Sequence, residues 1–202
     1  MSFNGSAIVA GALCAAVSST ASASLLQLNY SFQATGTLNG VAFTNKATTI
    51  TAIVDTANRF SVGGVYDGYG IANTSTQFSV AGVGSGAITT GMVSTSFIVD
   101  EFGDPLPLTV GLALASDPSN SFWSFEGSQP SWNMLGALSQ ASVASNGGNF
   151  VKPALSTTVG TLQFGPGNSI SGGTFSATAV PAPGAIALVG LAGLAGSRRR
   201  RA

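Results

Sequence analysis

Five apolar residues, Leu106, Leu108, Val110, Leu112 and Leu114, occupy alternate positions of one short stretch. A period of two is what a strand with one face turned into a core requires, because successive side chains point to opposite faces. The same rhythm runs through Leu26, Leu28, Tyr30 and Phe32, which alternate with Gln27, Asn29, Ser31 and Gln33. It returns over 76–83 through Phe78 and Val80; 47–54 reads as a strand from its Thr, Ile and Val content, and Phe122, Trp123 and Phe125 form an aromatic strand. A further strand is expected over 59–65, interrupted by Gly63-Gly64. Residues 87–99 read as one long strand or a bent pair. Asn39-Gly40 is a tight-hairpin signal, and Thr35-Gly36 and Asp67-Gly68-Tyr69-Gly70 read as turns. Pro107 argues for an edge or a bulge where its strand starts.

Only 131–142 carries helical spacing, through Trp132, Leu135 and Leu138, and predicts one short helix. Residues 159–164 and 173–179 are expected to pair around the turn Gly165-Pro166-Gly167-Asn168. This makes roughly eight to ten short strands without a helix–strand alternation. The expectation is an all-β, antiparallel β-sandwich or jelly-roll-like body, not a parallel α/β fold.

The two ends differ from this body. Residues 1–23 read as a secretory signal peptide, with an apolar stretch from Ala7 to Val17 and a small-x-small cleavage site at Ala21-Ser22-Ala23. Met1 to Ser6 contain no Lys or Arg, a departure from the usual charged start. Cys14 is the only cysteine, and Gly11-Ala12-Leu13 before it does not fit a lipid-attachment signal. Cleavage after Ala23 would leave an exported chain with no disulfide, so its stability must come from its core.

At the other end, Pro181-Ala182-Pro183 is a stiff, non-helical joint, since each proline fixes its own φ and lacks an N–H. Residues 184–196 then carry no charge and no strongly polar side chain. As a helix this run spans roughly 20 Å, short of a hydrocarbon core of about 30 Å. Arg198, Arg199, Arg200 and Arg201 follow, and such a cluster resists crossing a bilayer and stays cytoplasmic. This order resembles the PEP-CTERM sorting signal of Gram-negative bacteria: a Pro-Glu-Pro-like motif, an apolar helix and an arginine cluster. Ala182 stands where the name-giving Glu is expected. The resemblance covers residues 180–202. It implies an exosortase-type processing enzyme acting at Pro181, Pro183 and the four arginines. It also implies transient residence in the inner membrane through 184–196, then delivery to the cell surface or a polysaccharide-rich extracellular matrix. The competing reading of the same tail is a permanent single-pass anchor.

The expected organisation is therefore a signal peptide (1–23, handled by signal peptidase), an exported β domain (24–179) and a sorting or anchor segment (180–202). About 150 residues suffice for one core. Within the body, Lys46, Arg59 and Lys152 face seven carboxylates, a net charge of −4. That balance disfavours nucleic acid, which needs clustered cations.

The chain has no histidine, which removes Ser-His-Asp and Cys-His arrangements and imidazole zinc sites. It also lacks a phosphate-cradling Gly-Lys-Ser/Thr loop. The expectation is a non-enzymatic body with no catalytic residue, cofactor or metal. Three alternatives are open on residue type. Asp100, Glu101 and Asp104 could share a Ca²⁺, or form a solvated turn before Pro105. Trp123 and Trp132 could form the sugar-stacking platform of a carbohydrate-binding module, or pack in the core. Glu101 and Glu126 could serve a glycosidase if they faced each other across a cleft.

Overall fold

The computed structural model describes residues 25–63, 66–145, 152–165 and 170–181. The expected signal peptide with Ala21 and Ala23, and the tail from 182 onward with Pro183 and Arg198 to Arg201, lie outside the described residues. The strands are β1 (Leu25–Leu38), β2 (Val41–Asp55), β3 (Phe60–Val62), β4 (Asp67–Val80), β5 (Gly84–Ala87), β6 (Met92–Val99), β7 (Pro105–Leu114), β8 (Asp117–Pro130), β9 (Leu138–Ser145), β10 (Leu155–Thr157), β11 (Gly160–Phe164) and β12 (Ile170–Val180). A single 3-10 turn, Thr56–Asn58, follows β2.

Pairing runs β1–β12–β9–β8–β7–β6–β4–β2, all antiparallel, and β2 returns to β1. Eight strands therefore close into a barrel, not the two facing sheets of a sandwich or jelly roll. Alternation could not separate the two, because both architectures turn every second side chain inward. What decides is the second partner of β1. Leu28 is opposite Ala177 on one side and Ala52 on the other. Closure removes the edges that an open sheet would have to protect.

The inward faces supply the core. Leu26, Leu28, Tyr30 and Phe32 of β1, Ile50 and Ala52 of β2, and Leu108, Val110 and Leu112 of β7 are all buried. The aromatic rings interlock across the lumen: Tyr30 lies 4.9 Å from Phe175 and Phe32 lies 5.4 Å from Phe125, centroid to centroid. Along β1 the outward positions Asn29, Ser31 and Gln33 are polar and less buried.

Each end of the barrel is plugged. At the end away from the chain termini, the β10–β11 hairpin pairs with the last residues of β1, Gly36 opposite Phe164. Phe164 then packs 4.5 Å from Trp123, 6.1 Å from Phe32 and 6.2 Å from Phe43. At the terminal end, residues 131–137 fold over the opening. Trp132 lies 5.6 Å from Phe175 and Met134 is fully buried with φ 61°. Two bonds fasten this plug: Ser96 Oγ donates to the Trp132 carbonyl at 2.6 Å, and Arg59 Nη1 to the Asn133 carbonyl at 2.7 Å.

The plug replaces the helix expected over 131–142. Trp132, Leu135 and Leu138 have helical spacing, but Trp132 and Met134 point into the barrel from irregular chain and Leu138 begins β9. Three further expectations are corrected. Asp67 to Gly70 is the start of β4, not a turn. Its glycines are there for space: a Cβ on Gly70 would lie 2.8 Å from the Phe60 ring, and one on Gly68 would strike the Ser96 carbonyl. Thr35-Gly36 continues β1 through a register shift, whereas Asn39-Gly40 is the expected hairpin, with φ of 48° and 81°. Finally, β11 and β12 do not pair with each other. They lie end to end along the same edge of β1.

Candidate functional site

The lumen holds a short polar string among its apolar side chains. Ser94 Oγ donates to Asn73 Oδ1 at 2.8 Å, and Asn73 Nδ2 donates to Thr76 Oγ1 at 3.1 Å. The Tyr30 hydroxyl donates to the Gly111 carbonyl at 3.3 Å. Burial pushes the Tyr30 phenol well above the usual tyrosine range, and a hydrogen bond with Ser94 offsets part of that rise. Each group has a partner, and the rings fill the space around them, so the string reads as support for the barrel wall.

An open groove of about 540 Å³ lies at the end away from the termini. Val41, Phe43, Lys46, Val83, Gly84 and Val159 line it. Among the described residues Lys46 is its only charged side chain, and no acid–base pair faces it.

The candidate residues from the sequence take up structural positions. Trp123 and Trp132 are 3% and 7% exposed, so neither offers a ring face for sugar stacking. Asp100 Oδ1 accepts from the backbone N–H of Phe102 and of Asp104, both at 2.9 Å. Its carboxylate thus holds the β6–β7 turn, and among the described residues no group of three His, Cys, Asp or Glu is placed to hold a metal ion. Glu101 sits in that turn, while Glu126 stands on the wall of β8 opposite Thr109. The two do not face each other across a cleft. Pro181 is exposed and directly follows the last strand.

What the sequence did not disclose is how much converges on the terminal end. Leu25 is opposite both Val180 and Asp55, so the first and last strands finish side by side. The β6–β7 turn, β3, the chain leading into β4 and the 131–137 plug all lie at this end. Each exposes a large apolar residue: Phe102 is 81% exposed, Leu135 48%, Tyr66 46% and Phe60 37%. A signal was available for Phe102, an aromatic residue between acidic residues in a turn, where nothing in the local pattern calls for one.

Arg59, at the same end, lies 3.9 Å over the Tyr69 ring while it bonds the plug. On β1 and β2 the outer wall is unlike that of a barrel that crosses a bilayer. Gln27, Asn29 and Ser31 of β1 and Thr49 and Thr51 of β2 face outward, and the lumen is apolar, the reverse of a membrane barrel. Among the described residues no helix is long and apolar enough to cross a membrane. No protein-family model, curated protein or solved structure matches this chain.

Proposed function

We propose that this chain is an exported, surface-directed, non-enzymatic β-barrel protein that carries a C-terminal exosortase-type sorting signal. The observation that carries the reading is the tripartite order of the tail: the Pro181–Pro183 joint, the apolar run 184–196 and Arg198 to Arg201. The signal-peptide pattern ending at Ala21 and Ala23 supports it from the other end. The position of the joint also favours it. β12 ends at Val180 and Pro181 is exposed, so an enzyme that cuts beside the prolines would find its substrate outside the paired strands. Association of the released barrel with extracellular polysaccharide belongs to this reading, with a surface other than Trp123 and Trp132.

The test is the intact mass of the protein from its native host, with C-terminal peptide mapping. A chain that starts near Ser24 and ends between Val180 and Gly184 supports a cleaved sorting signal. A mass that retains Arg198 to Arg201 rejects cleavage and leaves a permanent single-pass anchor.

A further inference from the structure

We infer that, while the tail is uncut, the terminal end of the barrel rests on the membrane surface, with Phe102, Leu135 and Tyr66 entering the interface of a bilayer of low negative charge. The inference rests on the membrane-inserted tail proposed above and adds the orientation of the barrel to it.

Linker length is the first argument. Only residues 181–183 separate Val180, still paired with Leu25, from the start of the apolar run at Gly184. Four Cα steps span at most about 14 Å when fully extended. The headgroup layer on one side of a bilayer takes up roughly 5–7 Å of that. A folded body on so short a tether cannot turn its far end toward the lipid. The end that meets the headgroups is the one carrying Val180.

Placement of exposed apolar side chains is the second argument, and it is independent of the tail. Of the six large hydrophobic residues that are exposed among the described residues, four lie at this end, on separate chain segments. Val41 and Val159 lie at the opposite end. Tyr66 is of the residue type that prefers the headgroup level, an apolar ring with a polar tip, while Phe60, Phe102 and Leu135 supply apolar surface beside it.

Charge narrows the partner. Asp55, Asp67, Asp100, Glu101 and Asp104 lie at this end, and Arg59 is occupied with Tyr69 and Asn133. Such a rim is repelled by an anionic surface, so the fitting surface is zwitterionic, and contact is shallow.

The test uses the full chain carrying Cys14→Ser, with a single cysteine introduced at Phe102→Cys, Leu135→Cys or Val41→Cys and labelled with an environment-sensitive fluorophore. Each protein is reconstituted into phosphatidylcholine vesicles containing lipid-borne quencher. Labels at 102 and 135 should be blue-shifted and quenched several-fold more than the label at 41. Addition of phosphatidylglycerol should reduce that difference. Vesicle-bound protein in which 102 and 135 are quenched no more than 41 overturns the docked orientation and leaves the inserted tail standing. Protein that does not float with the vesicles overturns both. The two terminal-end positions lie on different segments, so a folding defect in one variant leaves the other to decide.

Discussion

Phe164→Ala is the most informative single change to the fold, because Phe164 ties the β10–β11 hairpin to the barrel lumen. Its side chain is 2% exposed and has aromatic neighbours on three sides, at 4.5, 6.1 and 6.2 Å. Removal of a buried phenyl ring costs about 3–5 kcal/mol, and more when the surroundings cannot collapse into the space. Trp123, Phe32 and Phe43 are held by the barrel strands β8, β1 and β2, so collapse is resisted and about 4 kcal/mol is expected. For a body of this length the melting temperature should fall by roughly 8–16 °C. The urea midpoint should drop by about 2 M at an m-value near 2 kcal/mol/M, with m itself unchanged. Val159→Ala is the control. It lies at the tip of the same hairpin, 45% exposed, and should cost less than about 1 kcal/mol. A Phe164→Ala loss no larger than that of the control would mean that the hairpin is not packed into the barrel, and the plug would have to be abandoned.

Tyr30→Phe should cost about 1 kcal/mol at neutral pH through the lost bond to the Gly111 carbonyl. It should also remove an alkaline slope. The folded Tyr30 pKa is raised, so its stabilising contribution is full below about pH 10 and is lost as pH rises toward the folded value, at about 1.4 kcal/mol per pH unit. Denaturation of wild type and variant from about pH 9 to pH 11 measures the difference, and parallel curves would contradict the burial of the phenol. Gly173→Ala should destabilise by about 1–3 kcal/mol, since its Cβ would strike the Ser31 carbonyl and force β12 from β1. Gly82→Ala, with open space around it and φ of 71°, should cost about 1–2 kcal/mol from backbone conformation alone, and thermal melts compare the two. Hydrogen exchange tests closure directly. Every amide from 26 to 34 has a strand on one side or the other to bond, so protection should be continuous along β1, whereas an edge strand would protect only alternate amides.

Side-chain alternation was enough to read β1, β7 and the second half of β4, and Asn39-Gly40 gave its hairpin through the conformational demand of the turn, whereas β5, β9 and β10 were not read as strands. Closure could not be read, because it depends on Leu25–Ala34 meeting two strands far apart in sequence, β2 and β12. The expected helix failed for a related reason. Three apolar residues at helical spacing satisfy the local rule, but a barrel mouth needed filling, and Trp132 and Met134 fill it from irregular chain. Asp67 to Gly70 misled because glycine marks both turns and close approaches. Here it marks the second, with Phe60 lying over Gly70. The candidate site divides in the same way. The proposed address at the two ends is written in linear order, in 1–23 and 181–201. The shared face of Phe102, Leu135 and Tyr66 is assembled only by the fold.

The side-by-side finish of β1 and β12 also fixes how the barrel bears load. A pull between its two ends would open the Leu25–Val180 pair first and peel the strands apart one bond at a time, like a zipper. A pull on the tail with the body gripped at its far end enters along the axis of β12. That strand has β1 on one side and β9 on the other, so the bonds of both ladders are strained together in shear. A barrel tethered through the proposed sorting tail would meet the second kind of force. The strand that leads to the tether is also the one held from both sides.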